Sequence, residues 1–267
     1  MTWSRKAVRI IQAEDGSPDQ IVLNHPEGAA ATISLYGATV TSWKVKDAER
    51  LFVSQKAILN GTKAIRGGIP LVFPNFGKAE APNPAAGLPQ HGFARITRCL
   101  NGVQIGPDFR KIWPLTFELV YTVILKADTL ETNLTDVSNA SVSGLHGYQY
   151  TDKVKCIEGK EDRSAIQVNS EVDSVYKNVT SLELKLNHGH GKALFIRKNN
   201  LDDAVIWNPW VERANGMADF GDDEYKSMIC VECGIVVNPI RLDPDDVWEG
   251  GQIVQATLKL EPVASCL

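Results

Sequence analysis

Short runs of β-branched and aromatic residues, each closed by a turn, recur along the whole chain, and no helical period competes with them. The runs fall at residues 8–12, 31–36, 39–45, 117–125 and 129–137, then at 181–186, 193–197, 204–207, 227–232 and 252–260. Several alternate polar with apolar, as in Thr129-Leu130-Glu131-Thr132-Asn133-Leu134, and Asp15-Gly16, Asn60-Gly61 and Asn101-Gly102 punctuate them. No amphipathic helical pattern exceeds about three turns, which argues against an α/β doubly wound fold. A large antiparallel sandwich or a barrel remains, so the chain reads as all-β. Without a low-complexity linker, a charge block or an internal repeat, residues 1–267 read as a single domain.

Apolar residues make up 43% and charged residues 22%, which suits a folded globular protein. A net charge of −4 supplies no overall positive field for nucleic acid or an acidic membrane surface, so any phosphate must be gripped locally. No run approaches membrane-spanning length, and the first residues lack the apolar core of a signal peptide. Five scattered cysteines, Cys99, Cys156, Cys230, Cys233 and Cys266, suit reduced thiols. The expectation is a cytoplasmic monomer that takes a small molecule, with no nucleic-acid or membrane partner.

Four segments carry chemistry. In Arg66-Gly67-Gly68-Ile69-Pro70, paired glycines permit close backbone approach to a ligand and an adjacent guanidinium can fork onto phosphate oxygens. A tight turn with a surface Arg is the plain alternative. Gln90-His91-Gly92-Phe93-Ala94-Arg95 holds an amide, an imidazole and a guanidinium, which converge only if the chain bends at Gly92. A structural His is the alternative there. In Trp207-Asn208-Pro209-Trp210 the indoles could floor a sugar site or simply fill the core. In Met228-Ile229-Cys230-Val231-Glu232-Cys233-Gly234, strand alternation puts Glu232 on the face opposite Val231 and Cys233. A lone carboxylate among apolar neighbours is either paired or a desolvated general base. The Cys-x-x-Cys spacing would split Cys230 and Cys233 between faces, which argues against a metal site. The irregular stretch 78–89 lies between the first two segments, where loops commonly carry function.

These segments, with Glu171-Val172-Asp173 and Met217-Ala218-Asp219-Phe220-Gly221, resemble the hexose-6-phosphate mutarotases, or glucose-6-phosphate 1-epimerases, nearly end to end. The resemblance implies a galactose-mutarotase-like supersandwich without cofactor or metal. It implies that Arg66, Gln90, His91, Arg95 and Asp173 bind substrate and that Glu232 is the catalytic base. In the family a His supplies the partner acid, but the segment carrying it is missing here. After Asn139-Ala140 the chain runs into what looks like the family's next strand, about one strand and its turn too soon. His146 and His91 are the candidate acids. An active mutarotase, a non-catalytic sugar-phosphate binder and a sandwich used only for protein contacts are the competing readings.

Overall fold

The computed structural model of the chain describes residues 7–99, 107–127, 140–187 and 193–256. It divides into two compact units, one formed by Met1–Ala127 with Arg213–Glu224, the other by Asp128–Glu212 with Tyr225–Leu267.

The first unit opens with a five-stranded antiparallel meander of β1 (Val8–Gln12), β2 (Pro18–Asn24), β3 (Ala29–Ser34), β4 (Val40–Val45) and β5 (Ala48–Glu49). Alternation along β3 buries Ala29, Ala31 and Ile33, and small Ala31 stands opposite Trp43 on β4, leaving room for the fully buried indole. Beyond β5 the chain is irregular up to residue 99 apart from one 3₁₀ turn at Ala94–Ile96, and it is tied by single bridges such as Val53 to Gly67 and Phe73 to Gly92. The glycines serve those ties. Gly67 (φ +112°) and Gly92 (φ +70°) leave no room for a Cβ, which would lie 2.4 Å from Phe52 O and 2.1 Å from Phe73 O respectively. The close approach that paired glycines allow is thus made to the protein's own backbone.

Phe93, fully buried, centres an aromatic cluster with Phe73, Phe109 and Phe117 at centroid distances of 5.9 to 6.0 Å. Ala85 and Leu88 of the irregular 78–89 stretch pack into it. A short helix α1 (Pro107–Ile112) leads into residues that hold no strand, so the run at 117–125 is not one. Phe117 is drawn into the aromatic cluster, whereas Val120 and Ile124 stay exposed and no ladder partner appears among the described residues. The run at 129–137 lies outside those residues.

The second unit is a sandwich of two five-stranded antiparallel sheets. Its strands are β6 (Ser141–Ser143), β7 (Gln149–Asp152), β8 (Ile157–Lys160), β9 (Ala165–Gln167), β10 (Val172–Tyr176), β11 (Glu183–Asn187), β12 (Ala193–Asn199), β13 (Asp203–Asn208), β14 (Cys230–Gly234) and β15 (Gly251–Ala256). They are ordered β14-β13-β10-β7-β8 and β15-β12-β11-β6-β9. Val142, Leu184, Leu186, Leu194 and Ile196 from one sheet meet Tyr176, Ala204 and Ile206 from the other. A second helix, α2 (Trp210–Asn215), follows β13. No helix among the described residues is long and apolar enough to cross a membrane.

One buried charge anchors the rim of this sandwich. Glu161 is 2% exposed, takes 2.7 Å hydrogen bonds from both Nε and Nη2 of Arg163, and accepts one at 2.6 Å from the Tyr176 hydroxyl. Burial alone would push its carboxyl up, but the Arg163 and Tyr176 hydrogen bonds and the Arg163 charge outweigh it and hold the group at about 2. A depressed folded pKa contributes stability that is fully present above the ordinary carboxylate range and lost as pH falls toward 2. Glu161→Gln should therefore cost about 3 kcal/mol at pH 7, the low end for a broken buried pair because Arg163 is half exposed. In urea unfolding from pH 7 to pH 3 the deficit should shrink as pH falls, and a pH-independent deficit would count against this account.

Candidate active site

Arg66 is set by its backbone: its carbonyl accepts the Ser54 N–H at 3.0 Å, and Gly68 N–H reaches Phe52 O at 2.7 Å. Its guanidinium opens into a hollow of about 400 Å³ lined by Thr62, Lys63, Arg66, Gln90, Arg95 and Asp219, among others. Arg66 Nη2 donates to Asp219 at 3.3 Å, and Arg66 Nε is buried without a hydrogen-bond partner. The bend needed to bring the 90–95 segment together is present, with φ +65° at His91 and +70° at Gly92. It folds Arg95 back so that Nη2 donates to Gln90 O at 2.8 Å, which puts both residues on the same hollow. Two guanidiniums, a Lys and an amide around one concavity have the donor chemistry that an anion needs, with Arg able to grip phosphate by its fork.

His91 takes a different part. Its Nδ1 accepts the Gly77 N–H at 3.2 Å, its backbone N–H donates to Gly77 O at 2.7 Å, and its ring meets Phe76 edge-on at 4.8 Å. With Nδ1 an acceptor, neutral His91 carries its proton on Nε2.

In the second unit the register brings Glu232, Asp173, Trp207 and Cys230 to one sheet face. Val205 stands opposite Glu232 on one side and Val175 on the other, and Trp207 stands opposite Cys230 and Asp173. Directly opposed residues share a face and so do residues two apart, so Glu232, Asp173, Trp207 and Cys230 point the same way. Val231 and Cys233 point the other way and pack on the core, where burial pushes the Cys233 thiol up to about 11. Asp173 and Glu232 stand two strands apart, about 10 Å across the sheet and about 7 Å along it, a span that accommodates a sugar ring. Cys230 and Cys233 therefore lie on opposite faces, and no cluster of three or more potential metal ligands occurs among the described residues.

The two indoles part company. Trp207 is half-buried on the Glu232 face, whereas Trp210 begins α2 and packs against the core with its ring tilted on Tyr225 at 5.2 Å.

His146 is not brought to Glu232. It is exposed in the turn between β6 and β7, closed by the Tyr148 N–H on Leu145 O at 3.2 Å. The residue of β7 level with Glu232 is Thr151, three strands or about 14 Å away. Facing Glu232 would have required β7 to re-register, and instead Tyr150 pairs with Tyr176 while Leu145 fills the core.

Two residues went unread in the sequence. Asp219 pairs with Arg66 across 153 positions, a distance that leaves no local signal. Asn208, wholly buried, donates through Nδ2 to Tyr225 O and Met228 O at 2.8 and 2.7 Å and accepts the Trp210 N–H at 2.9 Å. It fixes the approach to β14 and so the start of the strand carrying Glu232. Its place between two Trp residues was the available signal.

Comparisons with known proteins bear on the family and the fold. A model of the family described as aldose 1-epimerase matches residues 19–148 and 132–255. A candidate glucose-6-phosphate 1-epimerase from Cenchrus ciliaris is 36% identical over 87% of this chain and 83% of its own length. Another from Salmonella typhimurium is 30% identical over 80% and 82%. Among solved structures, a candidate mutarotase from Salmonella typhimurium superposes with a TM-score of 0.72 at 25% identity, covering 94% of this chain and 96% of that one. A galactose mutarotase related enzyme from Lactobacillus acidophilus, at 14% identity and a TM-score of 0.57, supports the fold alone. With the family model reaching from residue 19 to residue 255 and the antiparallel sandwich in place, the chain belongs to the aldose 1-epimerase family.

Proposed function

We propose that this protein binds hexose 6-phosphates and interconverts their α and β anomers slowly. The observation that carries the reading is the hollow that Arg66, Gln90 and Arg95 line together, a local cationic site on a chain of net charge −4. The candidate epimerases among its relatives are named for glucose 6-phosphate, which is consistent with that chemistry.

Anomer exchange needs a base to take the proton from the C1 hydroxyl and an acid to protonate the ring oxygen, whereupon the ring opens, the aldehyde rotates and the ring recloses. Glu232 is the base in this reading, Arg66 and Arg95 anchor the 6-phosphate, and Asp173 and Trp207 hold the sugar. The reaction requires neither a metal nor a nucleotide.

Slowness follows from the acid. The alignment with the Cenchrus relative runs over 278 positions but takes in 87% of this chain, about 232 residues, so about 46 positions face gaps. The two family matches overlap at residues 132–148, where the segment bearing the family's acid His is missing by resemblance. These observations also favour the second reading, a sugar-phosphate binder that has lost turnover. A general acid contributes about two to four decades of rate, which is the deficit expected here.

Calorimetry should find glucose 6-phosphate bound at least about tenfold more tightly than glucose, with most of that preference lost in Arg95→Ala. Equal affinities would remove the phosphate-site reading. Exchange NMR of the glucose 6-phosphate anomers should show turnover above buffer that Glu232→Gln abolishes and His146→Ala leaves within about twofold, since an exposed turn residue contributes no general-acid term. A large loss in His146→Ala would restore that side chain as the acid, and a wild-type rate equal to buffer, with binding intact, would establish the binder. Exhaustive chelation should leave binding and exchange unchanged, and stoichiometric zinc in the purified protein would contradict that.

A further inference from the structure

We infer that Asp219 is a positioning residue for the anion end of this hollow, holding the Arg66 guanidinium in the orientation that receives a phosphate. The inference rests on the phosphate reading above and extends it to a residue with no assigned role.

Both carboxylate oxygens of Asp219 lie 3.3 Å from Arg66 Nη2. Asp219 is the one hydrogen-bond acceptor of Arg66 among the described residues, and its side chain is 13% exposed against 35% for Arg66. An arginine with a single tether at one end of its fork and a buried, unpartnered Nε has donors still to give.

The tether is itself braced. Asp219 lies on the short return of the chain through the first unit, held there by the fully buried Phe220, tilted on Phe52 at 5.6 Å. The same return ends at Glu224, whose carboxylate accepts the Ser54 hydroxyl at 2.6 Å, the Gln55 N–H at 2.8 Å and the Gly221 N–H at 2.7 Å. Ser54 also donates its N–H to the Arg66 carbonyl. The backbone of Arg66 and the segment bearing Asp219 are thus fastened to one residue, and the ring closes through the guanidinium.

A carboxylate in an anion site could act instead by repelling the ligand. Charge decides between the two effects: Lys63, Arg66 and Arg95 line the hollow with Asp219, so three cations stand against one anion and the hollow stays positive with Asp219 ionised. Ordering a long arginine side chain before the ligand arrives removes an entropic cost from binding, and that gain outweighs a repulsion already countered at 3.3 Å.

The test is calorimetry with glucose 6-phosphate, inorganic phosphate and glucose on the full chain and on Asp219→Ala, Asp219→Asn, Arg66→Ala and the Arg66→Ala/Asp219→Ala pair. Asp219→Ala should weaken both phosphate ligands about tenfold and glucose by less than about twofold, with the melting temperature nearly unchanged. Asp219→Asn, whose amide oxygen still accepts from Nη2, should recover to within about threefold of wild type. In the Arg66→Ala background, Asp219→Ala should change nothing further, because the two act as one unit. Unchanged or tighter phosphate binding in Asp219→Ala overturns the inference, as do additive losses in the pair or equal losses for glucose. A wild type that binds glucose 6-phosphate no better than glucose overturns the phosphate reading and this inference with it. That outcome differs from one in which wild type discriminates and Asp219 proves irrelevant.

Discussion

The period-two alternation of β14 is the constraint on which the placement of Glu232, Asp173 and Trp207 in the second unit depends. Five residues of this strand pair with β13, and their register decides whether Glu232 joins Asp173 and Trp207 on one face or is driven into the core beside Ile206. A slip of one residue would bury a carboxylate without compensation and turn Val231 and Cys233 outward, a double penalty that makes the register strongly specified. Asn208 adds a second lock, since its side chain spends its donors on the two carbonyls just before β14 begins.

The hollow lined by Arg66 and Arg95 in the first unit is built on the opposite plan. No continuous strand carries Arg66 or Arg95; single bridges and glycines that admit only backbone hold the irregular chain in place. Irregular backbone suits a site that must turn several cationic side chains toward one point, but it pays for its shape through many small ties. The Ser54 hydroxyl and N–H, the Glu224 carboxylate and the buried Phe93 cluster are such ties, each satisfying a polar group or burying an apolar one.

What the sequence revealed follows the same division. β1, β3, β4 and β11 to β15 were legible because β-branched runs between turn residues leave few alternatives, and the opposite facing of Cys230 and Cys233 followed from alternation alone; β2 and β5 to β10 lay outside those runs, and β5 to β9 are too short to show a period of their own. The run at 117–125 had the right composition but no partner strand among the described residues, and composition cannot supply one. The place of His146, one of two candidate acids, could not be read for a related reason: whether it faces Glu232 depends on how β7 pairs with β10, a long-range choice made by Tyr150, Tyr176 and the buried Leu145. The Arg66 to Asp219 contact joins residues 153 apart and was beyond local pattern, whereas the bend at Gly92 could be foreseen because convergence of Gln90 and Arg95 demanded it.

The central claim is that one hollow, lined by Arg66, Gln90 and Arg95, receives the phosphate of a phosphorylated hexose. The most direct measurement is the side-chain Nε–H spectrum of ¹⁵N-labelled protein, with signals assigned through Arg66→Lys and Arg95→Lys. The account predicts that glucose 6-phosphate shifts the Arg66 and Arg95 signals together, with a common midpoint, while glucose leaves both in place. Movement of other arginines with these two unmoved would contradict it.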